Sequence, residues 1–407
     1  MNTQSSVLPL AGYRVVDFGW VWAGTVAGQI MADMGAEVIK IESRRRLDGL
    51  RLGRVFEVGE TLELNHHFHN FNRNKKSLTL NISQPRAQEL IRQLVSRADL
   101  VLENFTPGTL RKYGLDYEAL REVKPDVVMV SVTAAGQTGP LNDMLAYAPV
   151  MQSIAGFDGL VGYEGGPVFG VKQAYLDVMS ALFACYAALA ALHHRDATGE
   201  GQHVDVSGFD VGVSLIPDVL MDYTANGRVA GPQGSSHPTM APHGTYPGRE
   251  PDSWIAIAVT DEREWIQLGE ALGNPPWCGE SRFADLAGRL AARQELDALL
   301  ATATAQHVVG DLTAELQRRG VAAFPVHNIA GVFFDEHFNA REIFRQVDHP
   351  VAGPGYVYQT PWRFDGEPAP IRRHAPLLGE DNHEILVGLL GLSEDEVARL
   401  QAEEVVY

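Results

Sequence analysis

An aspartate at the mouth of a long apolar helix can be a cap or a nucleophile, and Asp177 stands at such a place. The stretch from Asp177 to Arg195 is rich in Ala and Leu and holds neither Gly nor Pro, so it reads as a mostly buried helix. At its start, unpaired N–H groups and the helix dipole favour an anion. The commoner role for Asp at that point is the N-cap. The sharper one is a carboxylate that attacks an acyl donor and becomes a mixed anhydride. Helix physics alone leaves both open.

Other polar groups gather in loops. Asn72-Arg73-Asn74-Lys75-Lys76-Ser77 is a basic, amide-rich turn, Arg44-Arg45-Arg46 follows a strand-like run, and Glu103-Asn104-Phe105-Thr106-Pro107-Gly108 ends another. Each alone reads as a solvated loop or turn. Together, at one expected sheet edge, they offer donors to an anionic ligand. His66, His67 and His69 crowd one segment, but their spacing suits no standard metal site, and no metal is expected. Phe68 and Phe71 interleave with them, as in a pocket wall or an interface.

Several common chemistries lose their support. Gly19-Trp20-Val21-Trp22-Ala23-Gly24 follows the first strand with the wrong spacing for a dinucleotide fingerprint and puts two indoles in the turn. Neither a phosphate-binding G-x-x-x-x-G-K-[ST] loop, nor H-E-x-x-H, nor G-x-S-x-G occurs.

The elements that must position these residues alternate. Tyr13 to Phe18 reads as a strand, Thr25 to Met34 as a helix and Gly35 to Glu42 as a second strand, a βαβ unit within roughly 30 residues. Helix-like Pro85 to Arg97 and Tyr117 to Val123 then alternate with extended Ala98 to Glu103 and Val127 to Val132. His203 to Ser207 begins the next strand after the long helix. The fold class is α/β, a Rossmann-like doubly wound parallel sheet with a smaller second domain. The expected division is a large domain over 1–224, to which the tail 336–407 returns, and a small one over 225–335.

The 407 residues, 45% hydrophobic and 21% charged, can bury a large core. A formal charge of -18 opposes non-specific binding to nucleic acid or anionic membranes, so a phosphate-bearing ligand needs local basic residues. Cys185 and Cys278 are too few for a disulfide framework and fit a reducing compartment. Met1 to Leu10 lacks the pattern of a secretory leader, and no run reaches about 18 uninterrupted apolar residues. The expected location is the cytoplasm.

Five segments, in order, resemble the class III CoA-transferases over nearly the whole chain. They are VVDFGWVWAGTVAGQIMADMGAEVIKIE (15–42), FNRNKKSLTLNI (71–82), ADLVLENFTPGTLRKYGLDY (98–117), YLDVMSALFACYAALAALHHRDATGEGQHVDVS (175–207) and APLLGEDNHEIL (375–386). The resemblance implies that Asp177 is the nucleophile, with the R-x-x-T-G-x-G-Q of the family at Arg195 to Gln202. It implies coenzyme A or acyl-CoA as substrate, with Trp22, Ala23 and Arg44 beside the nucleotide. Leu80, Asn81 and Ser83 are then near the adenine, Asn104, Phe105 and Lys112 near the phosphates and pantetheine, and Tyr147 on the pantetheine. It further implies an interlocked dimer.

Two departures stand out. Gly231 to Pro242 lacks the glycine run that covers the site in formyl-transferring members, and Ala148 replaces a carboxylate found there. Trp20, His66, Phe68, His69, Phe71 and His237 instead suggest a wall for a larger acid. The expected acceptor is a substituted succinate such as benzylsuccinate, with succinyl-CoA as donor. Three rivals remain: a 2-methylacyl-CoA racemase, an intramolecular CoA-moving isomerase, and a non-catalytic CoA-binding subunit of a hetero-oligomer. The racemase needs a His base, yet its position falls close to Tyr147 and no His occurs from Asn70 to Ala191.

Overall fold

Six short runs rich in β-branched residues become six parallel strands: β1 (Arg14–Asp17), β2 (Glu37–Glu42), β3 (Lys76–Thr79), β4 (Leu100–Glu103), β5 (Val128–Thr133) and β6 (His203–Ser207). The computed structural model describes residues 8–52 and 62–407. The strand order is β3-β2-β1-β4-β5-β6, so the doubly wound parallel sheet expected from the sequence is present. Its direction of growth reverses between β1 and β4, and such a switch point opens a crevice above the carboxyl ends of those two strands.

Successive strand residues face opposite layers. Val15, Val38, Leu100 and Val130 pack with helices α1 (Ala23–Asp33) and α6 (Tyr175–Thr198). Val16, Ile39, Val101 and Met129 pack on the other face with the helix α3 (Pro85–Val95), with Leu120 of α4 (Tyr117–Val123) and with the C-terminal residues Ile385 to Leu400. Between these lie α2 (His66–Asn72), α5 (Ala148–Ile154), α7 (Gly208–Ser214) and α8 (Pro217–Asn226). The tail also seals the edge strand β3. Asp381 accepts from Ser77 N at 2.8 Å and Asn382 from Thr79 N at 2.8 Å, which removes the free N–H groups of an open edge.

The chain divides into two compact units. The larger comprises the residues up to Asp158, Gly170–Val229 and Arg341–Tyr407; the smaller comprises Gly159–Phe169 and Ala230–Ala340. The boundaries read from sequence at 225 and 335 thus fall five residues later, and Gly159–Phe169 leaves the larger unit. The smaller unit holds an antiparallel sheet of β7 (His243–Pro247), β8 (Trp254–Ala258) and β9 (Ala322–Pro325). Its helices are α9 (Glu262–Ala271), α10 (Leu286–Ala291), α11 (Arg293–Thr304) and α12 (Val309–Arg318), packed around Ile255, Trp265, Leu296 and Leu316. In the larger unit the hairpin of β10 (Phe344–His349) and β11 (Gly353–Tyr358) stands in a region read from sequence without strands.

Candidate active site

A cleft of about 500 Å³ lies at the switch point, lined by the turn after β1, the loop after β4, and the starts of α5 and α6. Trp20, Val21, Trp22 and Ala23 form one wall, and Asn104, Phe105, Tyr147 and Asp177 face the same space. The two loops are stitched together: Trp20 N donates to Asn104 Oδ1 at 2.8 Å, and Asn104 Nδ2 donates back to Trp20 O at 2.9 Å. A T-shaped contact of Trp20 with Phe105, 5.6 Å between centroids, adds to the seam. Gly24 is required where these strands meet, since a Cβ there would lie 2.8 Å from both the Asn104 side chain and Gly19 Cα.

Asp177 is not the cap of its helix. Tyr175 and Leu176 already belong to α6, Ala174 occupies the N-cap position, and Asp177 is the third helical residue. The capping is done from outside: Gln152, fully buried on α5, accepts from Tyr175 N at 3.0 Å. The Asp177 carboxylate is thereby released from local duty. It makes no side-chain hydrogen bond or ion pair among the described residues, and burial alone pushes it up to about 6. One turn further on, Ser180 Oγ is buried without a partner, as is Thr133 Oγ1 at the end of β5, and both residues line the cleft. The i, i+3 spacing of Asp177 and Ser180 was visible in the sequence; their common exposure to a cleft was not.

The expected nucleotide-side residues separate into two groups. Leu80, Asn81 and Ser83 line an adjoining pocket of about 210 Å³ that shares Trp20, Arg46 and Phe105 with the cleft. Arg46 borders both spaces, its guanidinium 5.1 Å from the centre of the Trp20 ring. Arg44 borders neither; it is exposed in the same loop. Lys112 sits exposed on a 3₁₀ turn, Leu110–Tyr113, and lines neither space.

The histidine and phenylalanine wall expected for the acceptor is not on this cleft. Helix α2 turns Phe68 and Phe71 into the core, 1% and 6% exposed, because their i, i+3 spacing puts both on its buried stripe. Phe71 reaches the site only indirectly, as an edge contact 4.8 Å behind Trp22. His69 stacks on His349 at 4.0 Å, and burial pushes each imidazole down to about 4. His66 is their neighbour, 5.5 Å from His69. His237 belongs to the smaller unit, where its ring lies 5.1 Å from His243.

A family model described as "CoA-transferase family III" matches residues 10–382. Succinyl-CoA–D-citramalate CoA-transferase of Chloroflexus aurantiacus is 33% identical over 407 residues, the full length of both chains.

The chain belongs to CoA-transferase family III.

It is an enzyme of the CoA-transferase type, whose substrates are CoA thioesters. Succinate–glutarate CoA-transferase of Agrobacterium fabrum is 33% identical over 387 residues, 94% of this chain and 96% of that one. A crystal structure of a CAIB/BAIF family protein from Brucella suis superposes with a TM-score of 0.85 at 34% identity, covering 94% of this chain and 99% of the other. In family terms the cleft offers a carboxylate, two free hydroxyls and two indoles above the switch point of a parallel sheet.

Proposed function

We propose that this CoA-transferase moves CoA from succinyl-CoA to a dicarboxylic acid through covalent intermediates on Asp177. The observation that carries the reading is the carboxylate itself: partly buried, unpartnered among the described residues, and directed at the switch-point cleft. A structural aspartate in such surroundings would be paired. An aspartate that must attack a carbonyl carbon has to keep its oxygens free. The two relatives described above act, by their names, on citramalate and glutarate, both dicarboxylic acids. With Phe68, His69 and Phe71 away from the cleft, an aryl substituent such as that of benzylsuccinate keeps only Trp20 of its expected wall.

In the proposed sequence an Asp177 oxygen attacks the thioester carbon, the C–S bond breaks, and CoA thiolate leaves a succinyl–aspartyl anhydride. The thiolate attacks the aspartyl carbon, succinate departs, and Asp177 carries CoA as a thioester. The acceptor carboxylate then attacks that thioester and expels thiolate, giving a second anhydride. Attack of the thiolate on the acceptor's acyl carbon forms the new CoA ester and restores the carboxylate. The positive end of the α6 dipole favours the oxyanion at each step.

A racemase needs two groups that exchange a proton on opposite faces of the α-carbon. Among the described lining residues, Asp177 is the one carboxylate and no histidine is present, which favours transfer. A second copy of the chain fits the outer face of α6. Leu182, Phe183, Tyr186 and Leu189 stand there 37%, 38%, 77% and 38% exposed, a stripe that a dimer would cover.

Incubation with succinyl-CoA and a panel of free acids (citramalate, glutarate, malate, mesaconate, benzylsuccinate, oxalate) tests the reading. A new CoA ester, together with an Asp177 hydroxamate after hydroxylamine trapping, is the expected result. CoA binding without exchange or adduct on any acid would defeat it and leave the isomerase or the partner-dependent subunit.

A further inference from the structure

Val21, in the wall facing Asp177, has a φ of 56°. The left-handed region costs an ordinary L-residue roughly 1–2 kcal/mol, and a β-branched residue there is a strong outlier. Something must hold it. Asp48 Oδ1 accepts from Val21 N at 3.1 Å and from Leu50 N at 3.0 Å. Asp48 is in turn ion-paired at 3.0 Å with Lys40, both side chains fully buried. Lys40 also donates to Gly19 O, and Asp17 Oδ1 accepts from Gly19 N at 2.6 Å. Neither Lys40 nor Asp48 lines the cleft. Burial by itself would raise the Asp48 carboxyl, but the Lys40 ammonium and the two N–H groups overcome it and hold it below its usual value.

We propose that Lys40 and Asp48 are positioning residues that clamp the Gly19–Trp22 turn in its strained form, presenting both indoles to the acyl-CoA bound at the Asp177 cleft. The inference rests on the transferase reading for its ligand. A relaxed Val21 would return to negative φ, re-aim the peptide between Trp20 and Trp22, and move the wall against which the thioester is placed. A displacement of about 1 Å in such a wall is enough to cost on the order of 100-fold in rate.

The test is a pair of changes that removes the clamp without stranding a charge, Lys40→Met with Asp48→Leu, since replacing both members of a buried pair is far better tolerated than replacing one. The expected result is a donor KM raised, and kcat/KM lowered, by about 10- to 100-fold. Adding Val21→Gly should restore most of the loss, because glycine takes the left-handed conformation without the clamp. Asp48→Asn, which keeps an acceptor for Val21 N, should hold KM within about threefold even if the thermal midpoint falls. A folded double variant with native KM, or no recovery with Val21→Gly, or an Asp48→Asn variant as impaired as the double, would overturn the clamp. Affinity for free CoA by calorimetry gives the same ordering without turnover. A wild-type protein that binds CoA but transfers none would therefore defeat the transferase reading while leaving the clamp decidable.

Discussion

Two sets of charges in the larger unit are treated oppositely. Beneath the cleft, Lys75 Nζ sits 2.8 Å from Asp17 Oδ2 and 2.8 Å from Thr25 O, Lys40 pairs with Asp48, and Arg51 grips Glu42 with two contacts of 2.8 Å. Every one of these side chains is buried and every one has a counter-charge. On the cleft, Asp177 has none. A buried charge is tolerated when it is paired and hydrogen-bonded, so the first set can serve as rigid foundation. The unpaired carboxylate stores an unfavourable interaction that only a ligand or a covalent bond relieves, a common mark of a working group.

The sharpest way to break this contrast is to remove a charge from each side. Asp177→Asn should lower turnover by at least about a thousandfold, in line with removal of covalent nucleophiles elsewhere, while the protein stays folded and still binds CoA. Measured activity above one-tenth of wild type would end the nucleophile assignment. Lys75→Met should do the reverse. It leaves Asp17 buried without its partner and should cost about 3–5 kcal/mol of stability, read as a large fall in the denaturant midpoint. If the two variants showed equal stability losses, the division into foundation and working group would be wrong.

The foundation was largely legible before the structure. β1, β2 and the βαβ unit follow from Val15, Val16, Val38, Ile39 and Ile41, apolar residues buried on both faces as parallel strands require. The helix of Asp177 was legible for the same local reason, an unbroken apolar run. Its first residue was not, because the cap comes from Gln152, more than twenty residues away. Phe68 and Phe71 illustrate a second limit: aromatics at i, i+3 mark a buried stripe, and sequence does not say whether that stripe borders a pocket or a core. The left-handed Val21 is the clearest case. Its own propensity opposes the conformation, and the force that imposes it is an ion pair from 19 and 27 residues away in sequence.

The contrast also has a pH signature. Burial alone raises the Asp177 carboxyl from 3.8 to about 6, so the folded protein holds its proton more tightly than the unfolded chain. The folded state is then favoured by this group at low pH, and that advantage is lost as pH rises through about 6. Asp177→Asn should therefore match wild-type stability near pH 3 and exceed it by about 3 kcal/mol at pH 8. Activity runs the other way, since the nucleophile is the ionised form: kcat/KM for the acyl-CoA should climb about tenfold per unit up to a bend near 6. A stability difference independent of pH would show that burial does not raise the carboxyl, and one that reversed sign, with Asp177→Asn the less stable at high pH, would show that the carboxylate has a partner.

The smallest expected effect separates two arginines that sequence cannot rank. Arg44 and Arg46 occupy the same exposed loop after β2, two residues apart, yet Arg46 borders both the cleft and the adjoining pocket and Arg44 borders neither. Loss of one charge-assisted contact to a phosphate is worth about 1.5–3 kcal/mol, so Arg46→Met should raise the acyl-CoA KM about tenfold or more with little change in kcat. Arg44→Met contributes only a screened charge at longer range and should stay within about twofold, shrinking further in 0.5 M salt as the screening length falls. Equal sensitivity of the two would place the nucleotide further along the loop, outside the pocket that Leu80, Asn81 and Ser83 enclose. Both variants keep Asp177 and its buried foundation intact, and because Arg46→Met also loses the guanidinium over the Trp20 ring, Arg46→Lys, which keeps the charge, separates the phosphate contact from that packing.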